Sequence, residues 1–398
     1  MTPVEQVKLK RAGVGLRACN PDKACDGMTL FAPLGTDSTV YLIDLGGEIV
    51  HTWCMPYPPG LYGYLTERGT LVYNGRVDGH DGDFLSSTPW KGGALLEVDW
   101  QGEVLWEVRH PDHHHDGIRL ASGNALLLCL TEIPCAMAQR VAGGNPGSEH
   151  NGRMYADYLV EMTTDGRIVW EWRSWEHLEP ESYPIVNSQD ERSEWTHANS
   201  VVELADGNLM LSFRHLSAVV IVDRRTGGVV FKLGPPLLHN QHAPSILPNG
   251  NMLIFDNGTH RARLPYSRVI EIDPTTREVV WSYEETPPIA FFSPIISNAQ
   301  RLWNGNTLIN EGTSGRLFEV TAEGELVWEY INPYFSGPTA RDQQNSVFRA
   351  YRYPWDHIAK AMDTAVGHAG ELCTQLNDVL RWLVRRRAIS LQSRASSR

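Results

Sequence analysis

Short runs in which apolar and polar residues alternate recur along most of the chain, and each run closes on a turn. One recurring unit is an apolar run, an acidic residue or turn, and a second run that ends in an aromatic residue. Its copies are Val40–Trp53, Leu95–Trp106, Leu159–Trp170, Val219–Phe231, Val269–Trp281 and Leu317–Trp328. Alternation with a period of two on both sides of a turn predicts a β-hairpin for each copy.

A second hairpin unit lies between successive copies and carries a turn rich in Gly and Asn. It is clearest at Ile118–Leu128, Val202–Leu211, Ile246–Ile254 and Gln300–Ile309, and weaker at Tyr64–Val72. Glycine and asparagine accept the positive φ that tight hairpins need. Two hairpins per repeat give four antiparallel strands, and the repeat has the roughly 40 to 50 residues of a propeller blade. The sequence therefore predicts an all-β fold, a six-bladed β-propeller of four-stranded antiparallel blades.

The aromatic residues that end the first kind of hairpin recur with the repeat. They include Trp106, Trp170, Trp281 and Trp328. A four-stranded sheet cannot cover both of its faces alone, so neighbouring blades must cover them. Their periodicity therefore predicts packing between blades, with stacking on a ligand as the alternative.

The pattern changes at both ends of the chain, which sets the predicted domain boundaries. Residues 1–27 form an N-terminal segment and residues 28–353 the propeller, with Met28–Pro33 as an early strand of the first blade. Residues 354–398 space their apolar positions for helices at 358–369 and 376–384, before a basic tail. They are predicted to be a short helical C-terminal extension. The repeat pattern does not say how the ring closes.

Composition and charge exclude some classes of function. The 398 residues are 42% hydrophobic and 21% charged, as in soluble globular proteins. A net charge of −12 argues against a nucleic-acid partner, because phosphate binding needs clustered Lys and Arg. No apolar run is long enough to predict a membrane span, and the first 20 residues lack the apolar stretch of a signal peptide.

The six cysteines show no tight metal-binding spacing. A chain of this length can bury a core without disulfides, so reduced thiols in a cytoplasmic protein are the simpler expectation. A Cys129–Cys135 bridge is the alternative.

Histidines recur in phase with the second hairpin. The residues eight positions before its turn glycine are His115, Asn199, His242 and Ser297. His197 lies two residues before Asn199, and His114 precedes His115. Because inner strands converge on a propeller axis, these side chains are predicted to share one axial cavity. The His-rich stretch 112–116 alone would suit a solvated turn equally well, and it is the shared phase that favours function.

Arg214 follows a predicted strand in the same region of the chain. Alone it would be a surface or paired arginine. Beside the histidines, it would supply a permanently charged planar fork for an oxyanion.

Two pairs of segments resemble the core of the PAPS-independent arylsulfate sulfotransferase family. They are Glu194–Val201 followed by Leu211–His215, and Asn240–Ala243 followed by Leu253–Gly258. The resemblance extends from about Met28 to Tyr353 and includes Asn345–Tyr353. It implies a transferase that moves a sulfuryl group from an aryl sulfate to a phenolic acceptor, with ping-pong kinetics, no cofactor and a sulfohistidine at the propeller centre.

The resemblance also implies a role for each matching residue. His242 matches the sulfated histidine, and its catalytic partners would be His197, Asn199, Arg214 and His115, with His114 as the alternative to His115. His114, Gln241 and Asn257 are predicted to bind substrate. The family's well-studied members are exported, whereas this chain shows no leader and shorter intervals between its motifs, which leaves the substrate open.

Two other interpretations of the same residues stay open. His115, His197 and His242 could instead hold a divalent metal ion in a lyase, hydratase or hydrolase that acts on a small anion, although the nearby Arg214 disfavours a cation. A non-catalytic propeller scaffold is the third hypothesis, since a fold alone does not fix function. The predicted partners are a small aryl sulfate and a phenol-type acceptor, with no nucleic acid and no membrane. The C-terminal helices are a candidate surface for a homodimer.

Overall fold

A computed structural model describes residues 13–79, 84–337 and 343–366 of the chain. Within these ranges the secondary structure is almost entirely β. The strands are β1 (Gly15–Cys19), β2 (Met28–Pro33), β3 (Thr39–Ile43), β4 (Ile49–Cys54), β5 (Pro59–Leu65), β6 (Leu71–Arg76), β7 (Gly93–Val98), β8 (Val104–Arg109), β9 (His113–Arg119), β10 (Ala125–Glu132), β11 (Tyr155–Met162), β12 (Ile168–Arg173), β13 (Ala198–Glu203), β14 (Leu209–Phe213), β15 (Ala218–Val222), β16 (Val229–Leu233), β17 (His242–Ile246), β18 (Met252–Asp256), β19 (Arg268–Ile272), β20 (Val279–Tyr283), β21 (Asn298–Arg301), β22 (Thr307–Glu311), β23 (Arg316–Val320), β24 (Leu326–Ile331) and β25 (Val347–Tyr353). The helices are α1 (Cys135–Ala138), α2 (Ser174–His177) and α3 (Trp355–Val366), with 3₁₀ turns at Leu85–Ser87, Pro180–Ser182, Pro288–Ala290 and Gly312–Ser314.

The strands form six antiparallel sheets, which are the blades of a propeller. Blade I holds β25, β2, β3 and β4, and blades II to V hold β5–β8, β9–β12, β13–β16 and β17–β20 in sequence order. Blade VI holds β21–β24 and takes β1 as a fifth, outermost strand. The predicted six-bladed propeller is confirmed.

The ring closes by combining strands from the two ends of the described chain. In blade I the inner strand β25 pairs with β2, so that Tyr353 lies opposite Met28. At the outer edge of blade VI, β1 pairs with β24, and Gly15 lies opposite Ile331. Both neighbouring blades are therefore fastened by an N-terminal strand. The early strand predicted at Met28–Pro33 is β2.

The hydrophobic core is divided into clusters that lie between neighbouring blades. The interface between blades III and IV is the largest and buries Trp172 and Trp195, and corresponding clusters fill the other interfaces. The indole N–H of Trp281 donates to the Ala322 carbonyl of the next blade at 2.7 Å, and that of Trp328 donates to the Leu45 carbonyl at 2.9 Å. These rings pack between blades, as predicted.

The rings of Trp106 and Trp170 contact the next blade in another way. The guanidinium of Arg119 lies over Trp106 at 5.8 Å, and that of Arg224 lies over Trp170 at 5.3 Å. Cation–π contacts of this kind join each of these rings to the following blade.

The inner strands β5, β9, β13, β17, β21 and β25 neighbour one another around the axis. In four of them, β5, β9, β13 and β17, the pairing register shifts near the start of the strand. Such β-bulges bend a strand and redirect its side chains. They occur where the inner strands enter the sheet, which is also where the histidines lie.

The C-terminal extension begins with α3, while the predicted helix at 376–384 and the basic tail lie outside the described residues. Of the helices described, none is both long and apolar enough to cross a bilayer. No disulfide joins the five cysteines in the described ranges.

Candidate active site

A cavity of about 950 Å³ opens where the inner strands begin. His115, His197, Arg214 and His242 all line it, from blades III, IV and V. The ring centroids of His115 and His197 are 4.9 Å apart. The structure therefore brings these four predicted site residues to one space. Its wall also includes apolar side chains suited to a flat organic ring, among them Trp90, Phe348, Leu61 and Ile296.

His242 begins β17 and is held by an amide behind it. Its Nδ1 lies 2.7 Å from Oδ1 of Asn257. The Asn257 amide nitrogen donates to the carbonyls of Ser293 and Ile296, at 2.8 and 2.9 Å, so its oxygen must face the imidazole. His242 Nδ1 therefore carries the proton, and Nε2 keeps its lone pair. The backbone N–H of Ile296 donates to that Nε2 at 3.2 Å, so this hydrogen bond occupies the Nε2 lone pair in the structure.

Burial keeps His242 neutral. Removal from water, together with the charge of Arg214, lowers the pKa of His242 to about 3. The amide of Asn257 opposes this shift only in part. An imidazole in this state is a nucleophile across the physiological pH range.

His197 has a carboxyl group behind it instead. Its Nδ1 lies 3.0 Å from Oε2 of Glu194, and both side chains are buried. The contact is bent, so neither atom has an aligned hydrogen bond within the described part of the chain. Burial and the charge of Arg214 lower the pKa of His197 to about 3, while burial raises the pKa of Glu194 to about 7.

His115 ends a chain of buried polar groups. Its Nδ1 lies 2.7 Å from Nδ1 of His114, whose Nε2 lies 2.9 Å from Oδ1 of Asp157. Burial alone would raise the pKa of Asp157, but His114, the Thr196 hydroxyl and the Ala198 N–H hold it below its usual value. Burial and the neighbouring His197 shift the pKa of His115 well below its usual value.

Arg214 reaches the cavity with much of its guanidinium uncommitted. Its Nη1 lies 3.5 Å from Asp190, a long ion pair. Its Nε is buried and has no hydrogen-bond partner among the described residues. Asp190 is shared with His260 and with the Asn240 amide. A buried donor without a partner beside a cavity is well suited to an anionic ligand.

The other predicted site residues lie behind the cavity wall and not on it. The Asn199 amide nitrogen donates to the Gln241 carbonyl at 2.9 Å, and the Gln241 amide donates to Ser212, Phe213 and Ala218 inside the sheet. His114 contacts His115 from behind, and Asn257 does the same for His242.

The bulges explain why equal counting from the turn glycine does not select equal positions. The bulge of β9 holds two extra residues between His113 and Gly117, whereas the bulge of β13 holds one between Ala198 and Ser200. His115 therefore lies inside its bulge and His197 lies just before β13, although both have a positive φ, of +45° and +46°. Asn199, which has the counted phase, consequently points into the sheet.

Several cavity residues had no assigned role in the sequence. Glu194 lies three residues before His197, a spacing that could have suggested a pair. His215 follows Arg214 and stacks on His197 at 4.6 Å. Trp90 stacks on His115 at 5.7 Å, and no local pattern marks it.

Among the described residues, no group of three His, Cys, Asp or Glu side chains is arranged to hold a metal ion. His115, His197 and His242 share a cavity without forming a ready ligand set, and Arg214 adds a positive charge beside them.

Comparisons with known proteins agree with this architecture. The family model described as arylsulfotransferase (ASST) matches residues 80–333. The arylsulfate sulfotransferase AssT of Escherichia coli O6:H1 (strain CFT073) is 24% identical over 317 residues, which covers 58% of this chain and 51% of that protein. The chain thus spans about half the length of this curated relative.

Among solved structures, a protein of unknown function from Bacteroides caccae superposes with a TM-score of 0.50 and 13% identity, covering 82% of this chain and 99% of that one. A virginiamycin B lyase from Staphylococcus aureus has a TM-score of 0.44 and 11% identity, covering 82% and 92%. At such identities the first likeness concerns the fold alone.

Proposed function

Since this chain belongs to the arylsulfotransferase family, we propose that it moves a sulfuryl group from an aryl sulfate to a phenolic acceptor through a sulfated His242. The observation that carries the proposal is the state of His242. Asn257 holds the proton on Nδ1, burial keeps the ring neutral, and Nε2 faces a cavity that also contains Arg214. The Nε2 lone pair accepts from the Ile296 N–H at 3.2 Å, and this hydrogen bond would break as Nε2 attacks sulfur.

The first half-reaction transfers the sulfuryl group to the protein. Nε2 of His242 attacks sulfur, the bond from sulfur to the phenol oxygen breaks, and the phenol leaves with a proton. Splitting one transfer into two displacements on the same nucleophile lowers the barrier of each step. In the second half-reaction the acceptor oxygen attacks sulfur, its proton is removed, and His242 is restored.

Arg214 would bind the sulfate oxygens. Its buried Nε has no partner within the described ranges, and its ion pair with Asp190 is long. A guanidinium can donate two parallel hydrogen bonds to an oxyanion, and in a partly dry cavity these are strong. Trp90 and Phe348 would contact the flat aryl group from the sides.

The proposal is tested with 4-nitrophenyl sulfate as donor and a phenol as acceptor. We expect release of 4-nitrophenol and sulfation of the acceptor, with ping-pong kinetics and no added nucleotide. When the acceptor is omitted, mass spectrometry should find a sulfuryl adduct on the peptide that contains His242.

His242→Ala should reduce transfer to the rate without protein, because no other side chain replaces the lost nucleophile. The matched control is His177→Ala, since His177 is an exposed histidine outside the cavity. Full transfer by His242→Ala would refute the nucleophile assignment, and an adduct on another residue would reassign it.

A further inference from the structure

The carboxyl group of Glu194 is the feature of the cavity that the proposed reaction does not yet use. Glu194 is 1% exposed, and its Oε2 lies 3.0 Å from His197 Nδ1. Neither atom has an aligned hydrogen bond among the described residues, while the Glu194 backbone carbonyl accepts from His215 at 2.9 Å. Buried polar atoms are rarely left unpaired, and those near a reaction site often align only when substrate is bound.

We propose that Glu194 stores the proton that His197 passes to and from the phenol oxygen during sulfuryl transfer. This inference rests on the function proposed above. It makes Glu194 a positioning residue that acts through His197 and does not touch the substrate.

The proton movements balance without a charged histidine. Before transfer, the Glu194 carboxyl donates its O–H to His197 Nδ1, so His197 carries its own proton on Nε2. When the sulfur–oxygen bond breaks, Nε2–H goes to the departing phenolate, and the Glu194 proton moves to Nδ1. Glu194 is then a carboxylate that accepts from Nδ1–H. The acceptor phenol reverses both movements as its oxygen attacks sulfur.

The surrounding charges favour this route over a protonated His197. Arg214 faces His197, and burial disfavours any cation there, so the pKa of His197 is low. Around Glu194 the negative Asp157 opposes ionisation, whereas His215, His114 and Arg214 favour it, and burial outweighs them all. Below about pH 7 the pair therefore holds its exchangeable proton on the carboxyl group of Glu194.

His115 is backed, through His114, by a carboxyl group in a different state. His114 Nε2 lies 2.9 Å from Asp157 Oδ1 and, as in the Glu194–His197 pair, neither atom has an aligned hydrogen bond among the described residues. The pKa of Asp157 is held below its usual value, whereas the pKa of Glu194 is raised, so Asp157 stays a carboxylate and has no proton to pass on. Which ring donates across the 2.7 Å contact between His114 Nδ1 and His115 Nδ1 depends on their tautomers.

The experiment compares Glu194→Gln with Asp157→Asn across aryl sulfates whose phenols leave with increasing difficulty. Glutamine keeps the size of Glu194 and can still donate to His197 Nδ1, but it cannot release the proton. The quantity measured is kcat/KM for the donor, which reports the first half-reaction. For Glu194→Gln we expect a loss of less than about threefold for 4-nitrophenyl sulfate and of about 100-fold for the poorest leaving groups, the usual contribution of a general acid. For Asp157→Asn we expect the same loss for every donor.

A uniform loss in Glu194→Gln, or a loss in Asp157→Asn that grows with leaving-group difficulty, would overturn the inference while leaving the proposed function intact. Glu194→Asp, which keeps an acidic proton, should recover part of the loss on poor donors. A wild-type protein that turns over no aryl sulfate would overturn both proposals.

Two measurements keep the inference testable if the variants do not fold. Wild-type kcat/KM should show a solvent deuterium isotope effect with poor leaving groups and none with 4-nitrophenyl sulfate. Infrared spectra of wild-type protein with labelled glutamate should contain the band of a protonated buried carboxyl at about pH 6, below the shifted pKa of Glu194. Absence of either signal contradicts a proton stored on Glu194.

Discussion

His242 and His197 lie on neighbouring blades and line one cavity, but the groups behind them differ. His242 is backed by the amide of Asn257, and His197 is backed by the carboxyl of Glu194. An amide cannot change its charge, so it fixes one tautomer of His242, with the proton on Nδ1 and none on Nε2. A buried carboxyl can gain and lose a proton near neutral pH. Two imidazoles with similarly lowered pKa values are thus prepared for different tasks by the groups behind them.

The largest effect is expected from removing Arg214, the cation beside both histidines. Arg214→Gln should lower kcat/KM for an aryl sulfate by about 10² to 10³-fold, as expected when a donor to developing negative charge is lost. Arg214→Lys should recover only part of the activity, because an ammonium lacks the planar fork. Initial rates over a range of donor concentrations provide the measurement.

The control for Arg214 is Arg153→Gln, since Arg153 is an exposed arginine paired with Glu132. We expect wild-type rates from it. A loss below about tenfold in Arg214→Gln would mean that Arg214 does not bind the sulfate group and that the anion is bound elsewhere.

Glu194, the carboxyl group behind His197, should also make the free energy of unfolding depend on pH. The pKa of Glu194 rises on folding from 4.5 to about 7. As the pH rises, the unfolded chain therefore releases this proton at a lower pH than the folded protein does. The stabilisation that comes from the protonated carboxyl is complete below about pH 4.5 and is lost as the pH rises to about 7. The full loss is about 3 kcal/mol.

Urea unfolding at several pH values measures this dependence. The free energy of unfolding of Glu194→Gln should rise relative to wild type by about 3 kcal/mol between pH 4.5 and 7, because glutamine does not titrate. Asn257→Leu is the matched variant on the amide side, and its difference from wild type should stay constant over the same range. A constant difference for Glu194→Gln would show that the carboxyl is ionised in the folded protein.

How much of the fold the sequence predicts depends on whether a hairpin is local. The turn signals mark the hairpins between the first and second strands of blades II to VI and between the third and fourth strands of every blade, from β3–β4 to β23–β24. The inner pair of blade I joins Met28 to Tyr353 across nearly the whole chain, and no turn connects these strands. Pairing between distant strands leaves no short-range pattern, so the mode of closure could only be seen in the structure.

For the site, the repeat phase identifies His115 and His242 as cavity residues, although the strands of both contain a bulge. It misplaces Asn199, which lies within the bulge of β13, because the size and place of a bulge cannot be predicted from the turn. The role of Glu194 depends on its burial and on the position of His197, and Asp157 reaches His114 from a different strand. Such contacts are tertiary, and residue types alone do not predict them.

The smallest of these effects concerns the amide itself, and Asn257→Asp isolates it. A carboxylate at this position would still accept from His242 Nδ1, so the tautomer would be kept, and its negative charge would raise the pKa of His242. The variant also loses the donation to the Ser293 and Ile296 carbonyls, a loss that Asn257→Leu shares. A protonated His242 has no lone pair. Activity should therefore fall on the acid side of the profile, by about 10-fold near pH 6, and approach the wild-type rate as the pH rises. Wild-type protein should show no such fall, because the pKa of its His242 is about 3.

Asn257→Leu separates charge from geometry, since it removes the acceptor and should lower kcat/KM equally at every pH. If the aspartate variant behaved like the leucine variant, then the amide would not be what keeps His242 in its reactive form.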